Sequence, residues 1–348
     1  MLDISIIYIS RYALKGPKNM ADGVTIVTDF PFDSADTNYL QKSVESTAIW
    51  HFIRDAAALR LNVPHADIIC SFRPPNDIAQ TAQRLKWLQY PGAGADSLIE
   101  QGFDLAKLPF KICTANIVNA VATAEYVISA ALLFAHKWDA ILNMQAKKIW
   151  ATGRELSEIR AFELQGKTMG IIGLGAVGRH VAKLARAFGM KTLGVRRTDT
   201  REDDEDTICD SVSSAAYLTD VLEKCHYVVL ALPLTAATKH IINEAALKAM
   251  RHDAYLINIA RGAIIHEPSL IRAMRERWIA GAVLDVTETE PLPASSPLWT
   301  IPGVFISPHV SGLTTGYSRR VAEIFAQNIN RFLQGLPLLY QVDPERGY

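Results

Sequence analysis

Only four cysteines occur in 348 residues, at positions 70, 113, 209 and 225. They are too far apart for a disulfide framework, and none stands at a metal-ligand spacing from a histidine. Disulfide scaffolds and zinc modules are thereby excluded, no metal site is expected, and the thiols read as buried groups in a reducing cytoplasm. Net charge is also missing: 36 basic residues balance 36 acidic ones. Nothing in that balance draws the chain to nucleic acid or to an anionic membrane surface. No apolar run is long enough to cross a bilayer; the longest, residues 126–135, is about half of the roughly 20 residues a span needs. The first ten residues are apolar but have no basic start and carry Asp3. They read as a first strand over residues 4–9, not as a signal peptide.

What is present is the mix of an ordinary globular protein, 49% hydrophobic and 21% charged, at a length that predicts about two domains. Strand-like runs at 24–27, 67–72, 85–90 and 111–114 alternate with helical stretches. Residues 43–60 have the period of an amphipathic helix, with Ser43 as N-cap and Val44, Ala48, Phe52 and Ala56 stacked four apart. The small-residue loop Pro91-Gly92-Ala93-Gly94-Ala95-Asp96 follows a predicted strand. It reads equally as a ligand loop at a strand's carboxyl end and as a plain turn. From Asn119 the chain is helical for about thirty residues, longer than the usual dozen. Residues 147–164 are polar and irregular, an exposed arm that suits either a dimer contact or solvent.

The most informative stretch is Met169-Gly-Ile-Ile-Gly173-Leu-Gly175-Ala-Val-Gly178. A buried strand runs into three glycines, and apolar residues at helical spacing follow at Val181, Leu184, Ala185 and Phe188. This is the order of a dinucleotide-binding βαβ unit. Gly173 allows the sharp turn, Gly175 lets a pyrophosphate approach the backbone, and Gly178 lets helix and strand pack closely. The amides at the helix start, with the positive end of its dipole, would hold the diphosphate. The next strand, 191–195, leads to Arg196, Arg197 and Thr198, about twenty residues past the turn, where an NAD site usually carries Asp or Glu. Two guanidiniums there suit the 2′-phosphate of NADP through charge-assisted hydrogen bonds. NADP(H) is therefore favoured, with NAD(H) possible, although the acidic run 202–206 follows closely. Further βα alternation through strands at 227–232, 254–260 and 280–286 describes a doubly wound parallel sheet.

Three polar residues each stand just past a predicted strand: Arg261, Glu290 and His309. Singly they read as a turn cap, a solvated acid and a satisfied histidine. Jointly they lie on the carboxyl side of the sheet and supply what reduction of a 2-oxo acid needs. The cation grips the carboxylate and polarises the carbonyl, the imidazole donates a proton, and the carboxylate orients and charges the imidazole.

Five segments in order, Gly173-Leu-Gly-Ala-Val-Gly178, Leu232-Pro-Leu-Thr-Ala-Ala-Thr238, Asn258-Ile-Ala-Arg-Gly262, Leu284-Asp-Val-Thr-Glu-Thr-Glu-Pro-Leu-Pro293 and Ser307-Pro-His-Val-Ser-Gly312, resemble the signatures of the D-isomer-specific 2-hydroxyacid dehydrogenases. The likeness runs from about residue 85 to 345 and is nearest to glyoxylate/hydroxypyruvate reductases and phosphoglycerate-dehydrogenase-like members. It implies an α/β fold of two Rossmann-like or flavodoxin-like domains with the active site in the cleft between them. A discontinuous substrate domain would take residues 1–116 and 312–348, and the dinucleotide domain 117–311. The tail helix, 320–333, would pack on the first domain.

By the same resemblance Arg261 and His309 bind substrate, Glu290 bonds the other ring nitrogen of His309, and Asp285 holds the nicotinamide carboxamide. The loop at Gly92, Ala93 and Gly94 offers amides to the substrate carboxylate. Ala176, Val177, Leu232, Pro233, Thr238, Ile259, Ala260 and Gly312 line the cofactor. A homodimer without an appended regulatory domain is implied. Thr287 departs from the family by standing where an aromatic is common. The expected activity is NADPH-dependent reduction of a small 2-oxo acid such as glyoxylate or hydroxypyruvate. The alternatives are a phosphoglycerate-type dehydrogenase, with Arg73 as the extra cation, and a dinucleotide-binding sensor of the co-repressor kind.

Overall fold

The computed structural model describes residues 23–44, 48–197 and 208–347. The expected strand 4–9, Thr198 and the acidic run 202–206 lie outside the described residues. The chain divides into two compact units, Met1–Ala115 with Ser318–Glu345, and Asn116–Tyr317 with Arg346–Tyr348. The return to the first unit thus falls at Ser318, later than the expected 312.

The first unit is built on β1 (Thr25–Thr28), α1 (Ser34–Ser43), β2 (Ile49–Phe52), α2 (Ala56–Asn62), β3 (Ile68–Cys70), α3 (Ile78–Thr81), β4 (Trp87–Gln89), α4 (Asp96–Glu100) and β5 (Lys111–Cys113). All five strands are parallel, in the order β2-β1-β3-β4-β5. Its central strands β3 and β4 are buried throughout, as strands covered on both faces must be.

The helix expected over 43–60 is not formed. Ser43 ends α1, whose true N-cap is Asp33, accepting from the amide of Asp36 at 2.7 Å. Residues Ile49–Phe52 pair in register with Thr25–Thr28, and a new helix starts at α2, capped by Asp55 on the Ala58 amide. The apolar residues four apart fell by coincidence on the end of α1, a loop, β2 and α2. The β-branched and aromatic run Ile-Trp-His-Phe follows its pleated, sheet-forming preference once a partner strand is available.

The second unit holds α5 (Ala120–Ala135), α6 (Trp138–Ala146), α7 (Glu155–Glu158), β6 (Thr168–Ile172), α8 (Ala176–Ala187), β7 (Lys191–Arg196), β8 (Ser211–Ser214), α9 (Leu218–Leu222), β9 (Tyr227–Leu230), α10 (Glu244–Ala249), β10 (Tyr255–Asn258), α11 (Glu267–Arg275), β11 (Gly281–Leu284) and β12 (Val304–Ile306). The long helix expected from Asn119 is two helices, broken where Lys137 takes a left-handed φ of 54°. The seven strands are parallel, in the order β12-β11-β10-β9-β6-β7-β8. Six of them follow the dinucleotide-fold order, with the reversal between β6 and β9. Alternate residues feed two cores. Tyr227, Val229 and Ile257 join Val127, Phe134 and Val181 on one face. Val228, Leu230 and Leu256 join Leu222, Leu247 and Leu270 on the other.

The last helix, α12 (Tyr317–Leu333), buries Val321, Ile324, Phe325 and Ile329. Phe325 meets Trp87 edge-on at 5.6 Å, and Asn328 donates to Gln89 at 3.2 Å and accepts from the Leu339 amide at 2.7 Å. Beyond it, Gln341 bridges Cys113 in antiparallel fashion and so covers the β5 edge. All four cysteines are buried, and burial raises the thiols of Cys113 and Cys225 to about 12. Among the described residues no helix is long and apolar enough to cross a membrane.

Candidate active site

Because the seven strands are parallel, the loops leaving β6, β10, β11 and β12 emerge at one edge of the second unit's sheet. They carry the glycine turn, Arg261, Asp285 and His309 respectively.

The three glycines of the turn meet three different constraints. Gly173 has φ +103°, and a Cβ there would stand 2.3 Å from the Ala231 carbonyl oxygen. A Cβ at Gly178 would stand 2.0 Å from the Gly173 oxygen, so the strand and α8 touch through it. At Gly175, the N-cap of α8, a Cβ would meet nothing within 4 Å. The turn therefore leaves open space beside the helix amides, including those of Ala176 and Val177, that have no acceptor within the helix. That open cradle fits a diphosphate. Arg196 ends β7, half-buried, and Arg197 follows it, exposed, at the same edge.

Leu232 and Pro233 follow β9, and the Thr238 hydroxyl closes their turn by accepting from the Thr235 amide at 2.8 Å and donating to the Pro233 oxygen at 2.7 Å. Ile259 and Ala260 follow β10; the Ala260 carbonyl accepts from Arg261 Nη1 at 2.7 Å. Asn258, fully buried, braces this loop by accepting from the Ala260 amide and donating to the Arg261 carbonyl. Gly262 explains the residue after the arginine. A Cβ there would lie 1.9 Å from the backbone of Thr287, so the arginine loop and the loop carrying Glu290 are in backbone contact.

Glu290 Oε2 lies 2.9 Å from His309 Nδ1, with both side chains partly exposed. Glu290 Oε1 accepts from the Thr287 amide at 3.2 Å. Burial alone would raise the Glu290 carboxyl, but the bond and charge of His309, the Thr287 amide and the Arg261 guanidinium together hold it below the usual carboxylate range. His309 is held above the ordinary histidine range, chiefly by its bond to Glu290; burial and Arg261 oppose this, and Asp285 assists. Its backbone is left-handed, φ 55°.

Asp285, buried, is more committed to its own chain than sequence reasoning gave it. Its Oδ1 accepts from the Val310 amide at 2.8 Å and the Ser307 hydroxyl at 2.6 Å, and its Oδ2 accepts from the Ser311 amide at 3.0 Å. Its carbonyl accepts from the His309 amide at 2.8 Å. Gly312 packs on Asn119, at the head of α5, where a Cβ would lie 2.6 Å from the amide nitrogen.

Ser307 and Tyr126 were missed by sequence reasoning. The serine had a signal, a hydroxyl two residues before the histidine; Tyr126, 181 residues away from Ser307, had none.

In the first unit, Gly92, Ala93 and Gly94 follow β4 and are half-buried. Gly92 lies against the Tyr90 ring, 2.4 Å from where its Cβ would stand, and its carbonyl accepts from the Ala115 amide at 2.9 Å. Arg73 lines a groove of about 570 Å³ in the same unit with Arg60, Asn76, Ser97, Glu100 and Gln101. Arg60 is paired with Asp77 at 3.0 Å and Glu100 adds a negative charge, so the groove is of mixed sign.

Residues 128–311 match the family described as D-isomer specific 2-hydroxyacid dehydrogenase, NAD binding domain. The chain is 39% identical over 314 residues to the glyoxylate reductase of Pyrococcus furiosus, covering 86% of this chain and 89% of that one. It is 33% identical over 262 residues to the glyoxylate reductase of Aeropyrum pernix, covering 74% and 76%. With several further glyoxylate reductases the alignment spans about half of their length, 50–51%. The fold is similar to that of a D-isomer specific 2-hydroxyacid dehydrogenase from Xanthobacter autotrophicus Py2 in complex with NADPH and MES, with TM-score 0.78, 26% identity, and 94% of this chain and 100% of that one covered. On the family match and these identities, the chain belongs to the D-isomer-specific 2-hydroxyacid dehydrogenases, a family of NAD(P)-dependent oxidoreductases.

Proposed function

We propose that the protein reduces small 2-oxo acids such as glyoxylate or hydroxypyruvate with NADPH. The observation that carries this reading is the 2.9 Å Glu290–His309 pair, set at the same sheet edge as the Arg261 loop and the glycine turn. A nicotinamide dinucleotide, when bound, supplies the hydride. The open cradle at Gly175 and the first amides of α8 would hold its diphosphate, and Arg196 and Arg197 the 2′-phosphate. Leu232, Pro233, Ile259 and Ala260 would wall the cofactor.

Arg261 holds the substrate carboxylate and polarises its carbonyl; in the first unit, Ala93 and Gly94 are the candidates for backbone contact with substrate. Glu290 accepts a hydrogen bond from Nδ1–H of His309, which fixes the ring and leaves Nε2 to deliver a proton to the carbonyl oxygen. In the reverse direction the neutral ring removes that proton. The NADPH complex of the Xanthobacter relative and the basic pair at the end of β7 support NADPH over NADH.

Exposed apolar side chains on and after α6, among them Trp138, Leu142 and Trp150 at 91% exposure, support a homodimer with a second copy covering them. The buried thiols suit the reducing cytoplasm.

The test is a panel of glyoxylate, hydroxypyruvate, pyruvate and longer 2-oxo acids against NADPH and NADH, followed by absorbance of the reduced nicotinamide. Rapid loss with NADPH and the small acids is expected. Cofactor binding without turnover would overturn the reading in favour of a sensor.

A further inference from the structure

Behind the Glu290–His309 pair lies a second chain of hydrogen bonds that the reduction itself does not use. Tyr126, on α5, places its hydroxyl 2.6 Å from Ser307 Oγ, and Ser307 Oγ lies 2.6 Å from Asp285 Oδ1. A carboxylate only accepts, so the serine proton goes to Asp285 and the tyrosine proton to the serine. Burial pushes the Tyr126 phenol up, which keeps it a neutral donor. The chain therefore has one direction: phenol to hydroxyl to carboxylate.

Its end point controls the histidine in two ways. Asp285 binds the amides of Val310 and Ser311 through its carboxylate and that of His309 through its carbonyl, so it holds the left-handed residue and the two that follow it. It is also one of three charged groups that act on the imidazole, with Glu290 and Arg261. Glu290 and Asp285 favour the charged ring, and Arg261 opposes it. Each donor on a carboxylate spreads and offsets its charge.

We propose that Tyr126 and Ser307 are positioning residues: their hydroxyl chain orients the Asp285 carboxylate and damps the field that it exerts on His309. The role rests on the reductase reading only in so far as His309 is the proton donor.

Lost damping and simple loosening of the loop have opposite signatures. Ser307→Ala removes a donor from Asp285 and strands the Tyr126 phenol. Its kcat for reduction should fall roughly five- to tenfold, the worth of about one hydrogen bond, with KM for the 2-oxo acid little changed. With Asp285 less damped, the alkaline fall of kcat should move to higher pH. Simple loosening of the loop would weaken the Glu290 bond and move it to lower pH. Tyr126→Phe should act in the same sense and more weakly, and Ser307→Thr, which keeps the hydroxyl, should match the parent.

The ionisation of His309 is read independently by titrating its imidazole carbon-bound proton by NMR, the signal being assigned by its loss in His309→Ala. This readout needs no turnover, so an inactive parent would sink the reductase reading while leaving the chain testable. An upward shift in Ser307→Ala and Tyr126→Phe, absent in Ser307→Thr, is the expected result. An unchanged or downward shift in both overturns the proposal.

Discussion

The two parallel sheets of this protein arm their carboxyl edges in opposite ways. At the edge of the seven-stranded sheet, polar side chains are tied to one another: Glu290 to His309, Ser307 to Asp285, Asn258 to the arginine loop. At the edge of the five-stranded sheet, the loop after β4 is Pro-Gly-Ala-Gly and offers backbone. Side-chain chemistry needs several fixed partners, and one unit supplies all of them. Backbone recognition needs only a loop held in place, here by the Tyr90 ring and the Ala115 amide.

This contrast breaks most sharply at the histidine. His309→Ala should lower kcat for 2-oxo acid reduction by about 10²- to 10⁴-fold, the range of a lost general acid, with NADPH binding by fluorescence retained. A loss below tenfold would move the proton donor elsewhere. Next in size is cofactor choice. Replacing the β7 cations in the double variant Arg196→Asp, Arg197→Ala should shift the ratio of kcat/KM towards NADH by about 10- to 100-fold, the worth of one lost charge-assisted contact. A parent that already prefers NADH would refute the phosphate clamp.

The glycines offer a matched pair within one unit. Gly262→Ala forces a methyl into the Thr287 backbone and should cost about 1–3 kcal/mol or more in urea unfolding. Gly175→Ala meets open space and should leave unfolding unchanged while weakening NADPH binding. Equal stability losses in the two would contradict the cradle. The smallest effect belongs to the first unit. Ala93→Pro removes one amide and should raise KM for the 2-oxo acid about five- to tenfold with NADPH affinity unchanged. No change in KM would leave the loop as a plain turn.

The same contrast explains what could be read before any coordinates. The glycine turn and the Arg261, Glu290 and His309 set are side-chain and steric constraints written at short range, each beside a strand end. The fold of the second unit followed from them, except at its rims: β8, Ser-Val-Ser-Ser, is a polar edge strand whose composition resembles a loop, and its pairing to β7 is tertiary. In the first unit the helical spacing over 43–60 misled, because the partner that makes Ile49–Phe52 a strand, Thr25–Thr28, lies elsewhere in the chain. Thr238 shows the converse limit. Its place in the motif pointed to the cofactor, but its hydroxyl closes its own turn. The Tyr126–Ser307–Asp285 chain was invisible for the same reason as β2, since only folding brings α5 to the loop after β12.

The proton-donor assignment stands or falls on kcat for reduction measured against pH in the parent and in Glu290→Gln. Reduction uses the charged imidazole, and Glu290 holds His309 above the ordinary histidine range. The parent should therefore keep its rate through neutral pH and lose it as pH rises through the raised ionisation of His309. Without the carboxylate that loss should begin at lower pH. Superimposable profiles, or a loss displaced to higher pH in the variant, would contradict the pairing.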